Sequence, residues 1–222
     1  MLISCWSVKG GAGTTVVASA LALVLARSSA LGVLLADLAG DVPAAVGVAD
    51  PGDPGLSGWV AAGAGVPADG LARLELDVRS GVSLLPRGRG AMGPPGRMEA
   101  LAGMLAADPR PVVADCGVLD ASAPGVPVAA IATQSLLVVR PCYLALRRVA
   151  AAPIRPSGIV LVVEPGRALG RSDVENVVGA PVRAEIALDP AVARVVDAGM
   201  LATRLPRSLD RALRGITVPL AA

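Results

Sequence analysis

The chain has 222 residues, 54% of them hydrophobic and 17% charged, which excludes a disordered chain and allows one domain with a sizeable core. It contains no His, which removes histidine triads, imidazole proton relays and most zinc enzymes. Trp6, Trp59 and Tyr143 are the whole aromatic complement and the net charge is +2, so neither base-stacking platforms nor a general nucleic-acid grip is expected; any such contact would need a local Arg patch.

Residues 2–8 form a compact apolar run that reads as a buried strand. A glycine-rich turn follows at 9–15, then a helix over 16–27 that is apolar nearly all round and therefore buried. Residues 32–36 read as a second strand ending at Asp37. The stretch 40–70 is rich in Gly, Pro and Ala, with one short helix near 56–62. A strand at 81–85 is halted by Pro86, a helix covers 98–107, and a strand at 111–114 ends at Asp115. Strand 135–139 leads to a helix from Tyr143, strand 158–163 to a helix at 173–178, and strand 182–186 to two closing helices. This alternation predicts an α/β fold: a mostly parallel sheet covered by helices on both faces, in a single domain over 1–222.

Cys5, Cys116 and Cys142 are far apart and form no CxxC pair, which reads as core thiols in a reducing cytoplasm. No basic segment precedes the first apolar run, so no secretory signal is expected. The longest apolar run, residues 16–26, is shorter than the roughly 20 residues that span a bilayer. A soluble, cytoplasmic protein is the expectation.

Of the twenty basic residues nineteen are Arg. The single lysine, Lys9, heads the segment Lys9-Gly10-Gly11-Ala12-Gly13-Thr14-Thr15. Strand, glycine-rich turn and helix are the geometry that cradles phosphate: backbone N–H groups converge on the anion and the helix N-terminus adds a favourable dipole. Asp37 and Asp115 fall at the carboxyl ends of buried strands, where an open α/β sheet places its ligand crevice; each also fits a loop cap. Asp41 reads as a turn residue. Arg87 and Arg89 fit an anion site or, more simply, a solvated loop.

The segment 9–15 resembles the deviant Walker A loop of the MinD/ParA superfamily, K-G-G-x-G-K-T. The resemblance implies a P-loop fold with a sheet of about seven to eight strands. It makes Lys9 the signature lysine that reaches phosphate across a dimer interface, Gly10, Gly11, Ala12 and Gly13 the phosphate loop, and Thr15 a magnesium ligand. Thr14 stands where the family has its ordinary phosphate-loop lysine. A neutral hydroxyl replaces a cation there, and losing a charge-assisted bond of about 1.5–3 kcal/mol weakens nucleotide binding by about one to two powers of ten. By the same resemblance Asp37 positions the attacking water, Asp115 holds the magnesium shell and Gly117 senses γ-phosphate. Residues 55–57 and 81–86 resemble the TadZ/CpaE branch, and 137–147 and 181–199 resemble the family's later segments, with Ala187 where a Pro is usual. Glu164 falls where the family has an adenine-reading Asn; the chain's only Asn is Asn176.

The family implies ATP and Mg2+ as cofactors, an ATP-dependent homodimer, and a protein partner in a positioning or secretion system: septum, chromosome-partitioning or pilus machinery. Two readings stay open, a weakened ATPase and a pseudo-ATPase adaptor that binds no nucleotide. Residues 205–216 carry Leu205, Leu209, Leu213 and Ile216 on one face and Arg207, Arg211 and Arg214 off it. That pattern fits a domain-closing helix, and also a peripheral contact with the inner face of the membrane. A third, distant reading is a dinucleotide-binding oxidoreductase, since Gly11, Gly13 and Asp37 partly match that fingerprint, with Val16 in place of its third glycine.

Overall fold

The computed structural model describes residues 1–67 and 69–217. The apolar runs form β1 (Leu2–Ser7), β2 (Val33–Asp37), β4 (Val82–Leu85), β5 (Val112–Val118), β6 (Gln134–Val139), β7 (Gly158–Val163) and β8 (Val182–Ala187); a two-residue β3 (Leu76–Asp77) pairs antiparallel with β4. Among the described residues the order is β3-β4-β2-β5-β1-β6-β7-β8, and every pair but β3–β4 is parallel. β5 lies between β1 and β2. That separates the sheet from the dinucleotide-binding order 3-2-1-4-5-6, in which the first two strands are neighbours.

The helices are α1 (Thr14–Ala26), α2 (Val42–Val46), α3 (Leu56–Ala61), α4 (Pro95–Ala107), α5 (Val126–Ile131), α6 (Tyr143–Val149), α7 (Arg171–Val178), α8 (Pro190–Asp197) and α9 (Arg207–Leu213). α2 and α5 are absent from the sequence expectation. Each has five or six residues, too short to show a 3.6-residue period.

The central strands are apolar at nearly every position because alternate residues enter two different cores. On one face Leu2, Trp6, Leu34, Val112, Ala114 and Leu137 pack against α4, α5, α6 and α7. On the other Ile3, Leu35, Val113, Leu136 and Val160 pack against α1, α2 and α9. The Trp6 indole N–H donates to Ser135 Oγ at 2.9 Å, so the largest side chain of β1 is buried with its one donor satisfied. At the edge, β8 alternates buried and exposed, as one solvated face demands.

α1 lacks a polar face because it is covered on two sides, by the sheet and by α2 and α9. Leu209, Leu213 and Ile216 enter the same core as Leu21 and Val24, and Arg27 of the α1 cap pairs with Asp210 at 2.6 Å. The apolar face of α9 is therefore committed to the domain, which is the closing-helix reading, and leaves the membrane reading without a free apolar face in this segment. Among the described residues no helix is long and apolar enough to cross a membrane. Leu213→Ala is expected to lower unfolding free energy in urea by about 2–5 kcal/mol, as for other fully buried leucines. Removal of residues 205–222 should unfold or aggregate the protein, by circular dichroism and light scattering.

Candidate functional site

β1 ends at Ser7, next to the point in the sheet where the chain's crossovers diverge to either side, and the loop into α1 lies over the carboxyl edge. Gly11 (φ +76°) and Gly13 (φ +90°) have left-handed backbones that other residues rarely adopt, and a Cβ at either position would meet only open space. The loop is thus shaped by its backbone while leaving room above it. Gly13 caps α1 through its carbonyl, which accepts from Val17 N–H at 2.9 Å.

Above it opens a cleft of about 560 Å³ lined by Gly10–Val16, Ala39, Asp41, Arg87 and Gly117, among others. That is the size of a small-molecule site. A second, more apolar cleft of about 280 Å³ shares Gly11–Gly13 and runs toward Val162, Ile186, Leu188 and Asp189. Together they offer a polar chamber and an apolar one on either side of one loop.

Asp37 and Asp115 are register partners on β2 and β5, both fully buried on the α1 face. Asp37 Oδ1 accepts from Ala39 N–H at 3.0 Å and Gly40 N–H at 2.6 Å, and Oδ2 accepts from Val42 N–H at 3.2 Å. Burial and the neighbouring Asp115 push its pKa up to about 7 against those three donors. With both oxygens accepting from the loop, Asp37 caps the turn after β2. Asp115 differs. Oδ1 accepts from Gly117 N–H at 3.1 Å, while the buried Oδ2 has no hydrogen-bond partner. Burial raises its pKa to about 6, the Thr15 hydroxyl and Gly117 N–H lower it, and Asp41 raises it.

An orphaned carboxylate oxygen behind a hydroxyl that lines the cleft fits a hydrated divalent cation. Among the described residues no group of three or more Cys, Asp or Glu side chains is placed to hold a metal alone. Such a cation would therefore need ligands from what it arrives with, as Mg2+ has on a polyphosphate.

Thr15 lines the cleft; Thr14, buried at the first turn of α1, contributes a neutral hydroxyl beside it. Lys9 is half-buried on the other flank, in a crevice with Val138, Arg140 and Cys142, without an ion pair. Glu164 is not brought to either cleft: its Oε2 accepts from Arg140 at 3.2 Å and from Arg167 Nη2 at 2.6 Å. The two guanidiniums hold its carboxyl below the usual range. Both guanidiniums engage Oε2, and Glu164 lines neither of the two clefts that share the glycine loop. The structure also brings to the cleft Asp41, which reads in the sequence as a turn residue, and Arg87, which reads as part of an anion site or a solvated loop. Asp41 is the carboxylate among the cleft's described lining residues, and it stands at the N-cap of α2. Only the return of the loop after β4 to the same edge places Arg87 there. Gly117 (φ +65°) packs tightly below, where a Cβ would lie 3.1 Å from Ala39 Cβ.

Strand, glycine loop and helix in a mostly parallel sheet define the P-loop class of α/β proteins. More particularly, the fold is that of the ParA and MinD ATPases. It is similar to a ParA family ATPase from Chlorobium tepidum TLS, at 19% identity over 98% of this chain and 99% of that one, with a TM-score of 0.77. The septum site-determining protein MinD complexed with Mg-ADP from Pyrococcus horikoshii OT3 is similar at 20% identity over 97% and 93%, TM-score 0.74. The MinC:MinD cell division protein complex from Aquifex aeolicus is similar at 18% identity over 100% and 98%, TM-score 0.72. No family model and no curated protein matches the sequence.

The buried pair has a consequence for stability. Unfolded aspartates titrate near 3.9, whereas Asp37 and Asp115 do so at about 7 and about 6. Between about pH 4 and 7 the folded state therefore binds more protons than the unfolded one, and stability falls as pH rises through that window. The nucleotide-free protein in EDTA is expected to melt higher at pH 5 than at pH 8. Asp115→Asn should raise the melting temperature at pH 8 and flatten the slope; calorimetry across pH measures both.

Proposed function

We propose that this protein is a ParA/MinD-like nucleotide-binding protein that positions a cellular structure in the cytoplasm, with ATP hydrolysis weakened by Thr14. The cleft over the loop 10–15 carries the reading. It has the backbone donors and the Thr15 hydroxyl for a magnesium–polyphosphate, with the unpartnered Asp115 oxygen buried behind that lining, and an apolar chamber alongside for a base. Mg2+, when bound, would neutralise phosphate charge. The loop amides would orient the phosphates, Thr15 and Asp115 would hold the hydrated cation, and Asp41, the accessible carboxylate, would align a water. Asp37 would act one step removed, by fixing the loop that carries Asp41. Lys9, unpaired on the far flank, is free to meet a second copy of the chain, which supports the dimer expected of the family. The relative solved as a MinC:MinD complex supports a protein partner of the positioning class.

The adaptor reading draws on two features: the neutral Thr14 and the capture of Glu164 by Arg140 and Arg167. Isothermal titration with Mg-ATP separates the two. The weakened-ATPase reading expects measurable binding, tightened about tenfold or more in Thr14→Lys by one added charge-assisted contact, with hydrolysis rising and lost again in Thr14→Lys/Asp41→Asn. Flat titrations for both wild type and Thr14→Lys overturn it in favour of the adaptor. Lys9→Ala is expected to abolish any ATP-dependent dimer in sedimentation while leaving the melting temperature within a few degrees.

A further inference from the structure

Among the described residues that line the chamber over the glycine loop there is one cation, and it does not come from that loop. Arg87 lies in the turn after β4, and its side chain lines the chamber together with Thr14, Thr15 and Asp41. Three observations make this placement specific. The backbone under Arg87 is pinned: Leu56 N–H donates to the Pro86 carbonyl at 2.8 Å, and Ser57 N–H to the Arg87 carbonyl at 2.8 Å. Two residues on, Arg89 N–H donates to Asp53 Oδ1 at 2.9 Å and Gly90 N–H to Ser57 Oγ at 3.1 Å. The side chain then crosses Gly40, whose backbone (φ +106°) is held by the Asp37 carboxylate and where a Cβ would come within 3.4 Å of Arg87 Cδ. Finally, Arg87 is half-buried and its guanidinium makes no ion pair among the described residues. Its one hydrogen bond is a 3.4 Å contact to the Gly88 carbonyl, although a guanidinium carries five donors. Arg89, on the same turn, is paired with Asp50 at 2.6 Å.

We propose that Arg87 is the phosphate-binding cation of this site, supplying from the loop after β4 the positive charge that position 14 lacks. This rests on the nucleotide reading above and deepens it. Most of the guanidinium's donors are unengaged, and Arg87 lies between the chamber floored by the loop amides and a neighbouring cleft shared with Gly40 and Gly88; a guanidinium in reach of that chamber is suited to two-pronged contact with phosphate oxygens. A pinned backbone holds the turn in place before ligand arrives, which limits the ordering cost of binding. The ligand class is a nucleoside di- or triphosphate with its cation, or free pyrophosphate, which shares the same chemistry.

The test is titration calorimetry of Mg-ATP, Mg-ADP, AMP and pyrophosphate against wild type, Arg87→Gln, Arg87→Lys and Arg89→Gln. Arg87→Gln is expected to weaken Mg-ATP binding about tenfold or more, Arg87→Lys to recover part of it, and Arg89→Gln to leave it unchanged. Adding Thr14→Lys to Arg87→Gln should restore affinity, since either cation serves the same anion. Pyrophosphate binding with the same Arg87 dependence but no gain from the nucleoside would assign the site to the free anion. Unchanged Mg-ATP affinity in Arg87→Gln overturns the proposal while the nucleotide reading stands. No binding of any ligand by wild type or Thr14→Lys overturns both. With no ion pair lost, Arg87→Gln should melt within a few degrees of wild type. If it does not, Arg87→Met, which keeps the aliphatic stem over Gly40, replaces it, and wild-type affinity there overturns the proposal equally.

Discussion

Three backbone N–H groups, those of Ala39, Gly40 and Val42, close on the buried carboxylate of Asp37, and the candidate site takes its shape from that contact. A carboxylate this deep is tolerated only because donors surround it. The donors in turn have nowhere else to go, so the loop after β2 is held to one path. Along that path lie Asp41, exposed at the chamber, Gly40, over which Arg87 passes, and Ala39, packed on Gly117. Loosening this contact would move all three.

Asp115, its register partner, plays the complementary part. Its Oδ2 is buried and unpaired, a costly state for a carboxylate in a protein interior. Part of the compensation is visible as a pKa raised by burial and by Asp41. A hydrated cation arriving with phosphates is the other natural compensation.

The departures from the usual P-loop pattern form a coherent set. The neutral Thr14 and Arg87, which has no ion pair among the described residues, line one chamber. The carboxyl at Glu164, by contrast, is turned into an ion-pair hub with Arg140 and Arg167, beside the apolar chamber but not lining it. A chain whose basic residues are nearly all Arg has guanidiniums in many places. Arg87 is half-buried, its backbone is pinned, and it lines the chamber over the glycine loop.

The sequence alone determined the alternation of strands and helices, the glycine loop between β1 and α1, and the two strand-end aspartates, because each is written in neighbouring residues: apolar runs, turn residues and the period of a helix. The short elements α2, α5 and β3 left no such trace. Tertiary structure alone decided which carboxylate caps a loop and which is left with an open oxygen. Asp37 and Asp115 look alike in sequence, and their difference lies in donors from other segments. It also decided that the face of α9 belongs to the core under α1, since an amphipathic pattern does not name its partner. Arg87 came to the cleft over the glycine loop the same way. It is 72 positions from Thr15 in the chain, and only the pairing of β4 beside β2 and β5 carries the turn after β4 to the carboxyl edge where the glycine loop lies.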